Sequence, residues 1–119
     1  MEEWSQSWKV KSLDVLIMPA FHHVAYKLEN ADKFNGTSYY QFMANLLNVP
    51  AGVLTVGKVK EGEDEVYEDG INDSLSKVIR RDIKGSVGMP LSVQVVGERW
   101  KDELVLGVMN VIEDAFKRE

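Results

Sequence analysis

Residues 86–105, SVGMPLSVQVVGERWKDELV, join a strand to a helix in one short span, and the rest of the chain is arranged around that junction. Gly88-Met89-Pro90 opens it. Leu91, Val93 and Val95 alternate with Ser92 and Gln94, the period-two pattern of a strand with unlike faces, and Val96 makes its far end apolar on both sides. Gly97 ends the strand. Beyond it, Leu104, Val105, Val108, Val111, Ile112 and Ala115 fall at helical spacing. Asp102 and Glu103 stand at the positive end of that helix dipole, with Lys117 and Arg118 at the negative end. Gly107 within the helix costs about 1 kcal/mol relative to Ala and reads as a point of close packing.

Working back to the N-terminus, residues 2–12 read as a short helix with Trp4 and Trp8 on one face. Val15-Leu16-Ile17-Met18, ended by Pro19, reads as a short strand covered on both faces, as in a parallel sheet. No period holds from Ala20 to Gly36, so that stretch is expected to be a long loop at a functional rim, with His22 and His23 exposed. Adjacent histidines do not readily reach one ion from regular structure, and the chain has no Cys or third His to complete a metal site. Thr37 or Ser38 can cap the next helix, where Tyr39, Phe42, Met43, Leu46 and Leu47 form an apolar stripe. Asn48-Val49-Pro50 stops it, and residues 51–57 read as a strand whose glycines permit close backbone approach. Residues 58–70 are acid-rich and read as a solvated surface loop. Ile71, Leu75, Val78 and Ile79 mark a further amphipathic helix with Lys77, Arg80, Arg81 and Lys84 on its polar side. The expected architecture is α/β, with three strands and about four helices.

The 119 residues suit one domain, and a 45% hydrophobic fraction supports a modest core. Net charge of -5 argues against a nucleic-acid surface, and the absence of cysteine removes disulfide and thiolate-metal chemistry. No run approaches the roughly 20 apolar residues that span a bilayer, and Met1-Glu2-Glu3 lacks the basic start of a signal peptide. These features fit an intracellular location, cytoplasmic or peripheral on an internal membrane.

Three segments in order carry a family resemblance: Leu13 to Pro19, LDVLIMP; Asn45 to Val53, NLLNVPAGV; and Gly88 to Gly97, GMPLSVQVVG, followed by Trp100 and Asp102 to Leu106. Together they resemble the C-terminal end of the amidase signature hydrolases, most closely the animal fatty acid amide hydrolases. The resemblance implies that residues 1–119 are the C-terminal segment of a much longer amidase domain, part of a mixed sheet flanked by helices. It implies a Ser, cis-Ser, Lys triad acting on fatty acid amides without a cofactor. Neither the Gly/Ser-rich stretch that holds such a triad nor a G-x-S-x-G elbow occurs here. Gly85-Ser86-Val87-Gly88 leads straight into a strand with no histidine beside its serine, so no catalytic residue is assigned and the chain is expected to be inactive alone.

Counting back from Pro50-Ala51-Gly52, the resemblance places Asn35, Ser38 and Phe42 along the acyl-chain pocket, Phe42 foremost. Counting back from Ser86-Val87-Gly88 places Leu75 where the animal enzymes tend to carry a tryptophan of the same channel. By their periodicity alone, Phe42 and Leu75 serve equally as core residues of amphipathic helices. The implied partner is a fatty acid amide. Membrane association would fall to segments outside this chain, and the resemblance is compatible with a homodimer. An alternative of another class, favoured by the start at Met1, is a free-standing, non-catalytic module that uses the family's C-terminal layer as a binding surface. Trp4 and Trp8, residues 15–17 and the stripe from Leu104 to Phe116 are expected to lack cover, making the isolated chain self-associating or loosely packed.

Overall fold

A computed structural model describes residues 2–35, 37–65, 68 and 70–117. Gly36 at the end of the expected loop, Val66, Tyr67 and Asp69 of the acidic loop, and Arg118 at the end of the last helix lie outside the described residues.

The strand anticipated after Gly88 is Pro90–Gly97, and it is the middle of a three-stranded sheet among the described residues. We number the strands β1 (Val15–Pro19), β2 (Ala51–Lys58) and β3 (Pro90–Gly97), and their spatial order is β1-β3-β2. Both neighbours run antiparallel to β3, Val15 facing Gly97 on one side and Ala51 facing Val96 on the other. The parallel setting expected for β1 is therefore corrected: a continuous apolar run shows that a strand is covered and carries no record of pairing direction. β1 is an edge strand, and Ile17 is 53% exposed. Val56 is an extra residue between Thr55 and Gly57, a bulge that bends β2 near its end.

The period-two pattern sends Ser92, Gln94 and Val96 to one face of β3 and Leu91, Val93, Val95 and Gly97 to the other. Both faces are covered towards its C-terminal end, where residues 94–97 are all buried. Helix α4 (Asp102–Phe116) lies on the Val95 face. It comes so close that a Cβ on Gly97 would stand 2.5 Å from Val105 Cγ2, and one on Gly52 would overlap Met109 Sδ. Helix α2 (Tyr39–Leu47) is tied to the opposite face by Gln94, whose Nε2–H donates to the Tyr40 carbonyl at 3.2 Å. Arg99, just past β3, donates through Nε and Nη2 to the carbonyls of Asn48 and Leu47, a cation at the negative end of α2.

Helix α1 (Glu2–Val10) carries Trp4 and Trp8 with ring centroids 5.1 Å apart, and Ser5 Oγ donates to Glu98 Oε1 at 2.6 Å. Trp8 is buried and Trp4 half-buried, so the tryptophan stripe expected to be bare is covered within this chain. Helix α3 (Ser74–Ile83) begins at Asp73, whose side chain accepts the Ser76 N–H. Capping of α2 differs from expectation. Ser38 occupies the N-cap position without a side-chain bond, while Thr37 Oγ1 donates back to the Phe34 carbonyl at 2.7 Å. Gly107 meets nothing within 4 Å and is exposed, so the close packing expected of it falls instead to Gly52 and Gly97.

Two substitutions separate these roles. Gly107→Ala adds a Cβ in open space and is expected to stabilise the chain by about 1 kcal/mol. Gly97→Ala drives a methyl against a β-branched, rotamer-locked Val105 and is expected to destabilise by about 1–3 kcal/mol. Urea melts of both variants check this, and equal midpoints would mean that α4 does not press on β3 in solution. Leu46 at 84% and Val111 at 70% exposure leave apolar faces on α2 and α4. Concentration-dependent sedimentation is therefore expected, weaker in the Leu46→Gln, Val111→Gln double variant.

Candidate functional site

Past Pro19 the chain leaves the sheet, and the stretch read as an aperiodic loop folds into a packed aromatic cluster. Residues Leu28–Phe34 within it form a 3-10 helix. Phe34 is buried at its centre, with His23 at 4.7 Å and Tyr26 at 5.4 Å between ring centroids, and Phe21 edge-on at 6.1 Å. His22 stacks between Phe21 at 4.0 Å and His23 at 4.6 Å.

The polar anchor of this cluster is Asp82 on α3, 1% exposed. Its Oδ1 accepts from Asn30 Nδ2 at 2.6 Å, both oxygens lie 3.2 Å from the Lys27 backbone N–H, and Oδ2 accepts from His23 Nε2 at 3.1 Å. A buried carboxylate is tolerated when several donors surround it, and here a backbone amide, a side-chain amide and an imidazole do so. The expectation of exposed histidines is thus corrected, since the His23 side chain retains only 2% exposure. Both ring nitrogens of His22 and Nδ1 of His23 are shielded from solvent and have no hydrogen-bond partner among the described residues. Burial accordingly lowers both pKa values; the nearby His23 lowers that of His22 further, while the bond and charge of Asp82 oppose the shift at His23 without reversing it. Asp82 selects the His23 tautomer protonated at Nε2.

Between this cluster and the sheet lies a cavity of about 580 Å³. Phe21, His23, Tyr26 and Phe34 line it on one side, and residues of β2 and β3, Val53, Val56 and 90–93, line it on the other. Polar groups enter at Asn35, Ser38, Gln41 and Ser92. Size and lining suit a mainly apolar ligand oriented by a few polar contacts. Of the residues singled out in the sequence, Asn35 and Ser38 line this cavity. Phe42 stands outside the lining on the outer side of α2, 54% exposed, and Leu75 is half-buried on α3, also outside it. Ser86 is buried with its hydroxyl shielded from solvent, out of reach of any substrate carbonyl in this arrangement. Among the described residues no three His, Cys, Asp or Glu side chains cluster as a metal site would require, and no helix is long and apolar enough to cross a membrane.

Reasoning from sequence missed the His23–Asp82 pair and the walls built by Tyr26 and Phe34. The available signal was the density of aromatic side chains from Phe21 to Phe34, in a stretch too poor in period to be assigned an element.

The amidase family model matches residues 1–106. Fatty-acid amide hydrolase 1 of Sus scrofa is 35% identical over 109 residues, covering 89% of this chain and 19% of the relative. Fatty acid amide hydrolase 1 of Caenorhabditis elegans is 32% identical over 106 residues, covering 87% of this chain and 18% of its own length. An amidase of Gibberella moniliformis is 31% identical over 116 residues, 98% of this chain and 19% of that protein. The chain spans about a fifth of the length of these curated relatives.

The folded state lowers both histidine pKa values, so it favours the neutral rings. Their contribution to stability is complete above the unfolded value of about 6.5 and is lost as pH falls through the folded values. Thermal midpoints are expected to be flat above neutrality and to decline on acidification below about pH 6.5. A His22→Gln, His23→Gln double variant should decline less steeply over that window, and identical profiles would contradict the assignment.

Proposed function

The chain belongs to the amidase family, and from that premise we propose that it is the C-terminal part of a serine-dependent amidase that hydrolyses fatty acid amides to fatty acid and amine. In this reading it contributes scaffold and part of the acyl-chain pocket. The observation that supports it is the cavity beside the sheet, with apolar walls on two sides and Asn35 and Ser38 among its polar groups. An acyl chain gains roughly 0.8 kcal/mol for each methylene removed from water, so a pocket of this size supplies substantial binding energy without any charged contact. Asn35 and Ser38 give the otherwise apolar lining polar groups that can hydrogen-bond only the amide head of such a ligand, while the acyl chain itself is held by apolar contact. Phe42 shares an exposed stripe of α2 with Tyr39 and Leu46, and we assign that stripe, together with Leu75, to the stretch of pocket that the rest of the enzyme closes.

The Ser, cis-Ser, Lys chemistry belongs to the part of the enzyme outside these 119 residues, because this sequence has no Gly/Ser-rich stretch to carry it. In that scheme Lys takes protons, one Ser relays them and the other attacks the amide carbonyl. A non-catalytic binding module is the second reading, and it is favoured by a sheet that already has helices on both faces, with Val95 and Val96 fully buried.

Two measurements test the leading reading. The full 119-residue chain is expected to give no oleamide turnover and no labelling by a fluorophosphonate probe, and either signal would place the chemistry within it. In the full-length enzyme, Ser38→Phe fills the cavity and is expected to raise KM for a long-chain amide about tenfold with a smaller change for a short-chain one. Equal effects on both substrates would remove the acyl assignment.

A further inference from the structure

The two walls of the cavity are held by different means. Val53, Leu91 and Val93 sit on hydrogen-bonded strands, whereas Phe21, His23, Tyr26 and Phe34 sit on a segment whose buried side-chain bonds to α3 converge on one carboxylate. Asp82 is not part of the cavity lining. It stands behind the wall and takes hydrogen bonds from three successive points of it, His23, Lys27 and Asn30. We propose that Asp82 is the positioning residue of this cavity, holding its aromatic wall against the sheet, and that protonation of His23 releases the wall and weakens binding of the acyl ligand. The proposal deepens the acyl-pocket reading and rests on it.

The charges around His23 decide the direction of the switch. From α3 it faces Asp82, and on its own segment it faces His22. Lys27 offers its backbone N–H to Asp82 while its Nζ turns away to the Lys84 carbonyl. Lys33 Nζ donates to Asn30 Oδ1 at 2.7 Å, which puts a further cation behind the network. A protonated His23 gains attraction to Asp82. Against that, its new Nδ1–H is a buried donor with no acceptor among the described residues, and its charge lies beside a second buried imidazole. Burial is the largest influence on His23, so the closed wall holds the neutral ring. The released segment then hydrates both histidines and loses its packing on Phe34.

Hydrogen exchange and ligand titration on the full chain test this together, using NBD-labelled stearamide as the probe. Between about pH 7.5 and about pH 5.5, the wild type is expected to show about tenfold faster exchange across residues 20–34, after correction for intrinsic rates, with β3 unchanged, and about tenfold weaker probe binding. Asp82→Ala should show both changes already at neutral pH. His23→Gln keeps a donor for Asp82 but cannot titrate, so the ratio of its affinities at the two pH values should fall to near one whatever its absolute affinity. The proposal is overturned if Asp82→Ala folds with wild-type exchange in residues 20–34, or if His23→Gln keeps the full acid response. Should Asp82→Ala fail to fold, the His23→Gln ratio decides. A wild-type chain that does not bind the probe at neutral pH removes acyl binding by this cavity on its own, while the acyl-pocket reading stands or falls with Ser38→Phe in the full-length enzyme. The exchange measurements then decide the positioning role alone: faster exchange confined to residues 20–34 upholds it, and a uniform or absent change overturns it.

Discussion

Strand β3 has no face left for solvent over its last four residues, and the placement of the other layers follows from that constraint. Val95 and Val96 are fully buried on opposite sides of the sheet, each worth about 1.5–3 kcal/mol relative to exposure. Between α2 and the sheet the buried Gln94 amide is satisfied by the Tyr40 carbonyl, so α2 is held at a fixed position as well as in contact. On the other face, Gly52 and Gly97 remove the side chains that would keep α4 at a distance. Arg99 extends the same strand towards the end of α2 and secures it by charge. One strand therefore sets the position of two helices and the register of two neighbouring strands.

The candidate site is built on the less regular half of this arrangement. A segment without period gains its order from aromatic packing around Phe34 and from the donors it presents to Asp82. Burying a carboxylate is costly unless nearly every lone pair finds a donor, and the segment supplies donors from main chain and side chain alike. The sheet makes one wall of the cavity rigid. The aromatic wall depends on the ionisation state of a few buried groups, which is why the two differ in their expected response to acid.

Other surfaces point outward with no cover from the described residues. Tyr39, Phe42 and Leu46 form a stripe on α2, and Leu106 and Val111 are exposed on α4. Strands β1 and β2 are both sheet edges, positions at which further strands pair readily. A chain that matches about a fifth of the length of its amidase relatives has these faces available to the remainder of such a fold.

The sequence by itself determined where most elements lie, because periodicity is a local property. Alternation from Leu91 to Val96, the helical stripes of α2, α3 and α4, and the stop at Asn48-Val49-Pro50 are all legible from side-chain spacing. Motifs spread along the chain were enough to identify the amidase family. What spacing does not encode is which elements meet. The antiparallel setting of β1, the burial of Trp8, and the packing role of Gly97 in place of Gly107 depend on contacts between distant residues. The same holds most strongly at the site: fifty-nine positions separate His23 from Asp82, and each taken alone reads as an ordinary polar surface residue. Only the tertiary structure decided that they are buried together, because a buried carboxylate and a buried imidazole are each unfavourable until the fold brings the other within hydrogen-bonding distance.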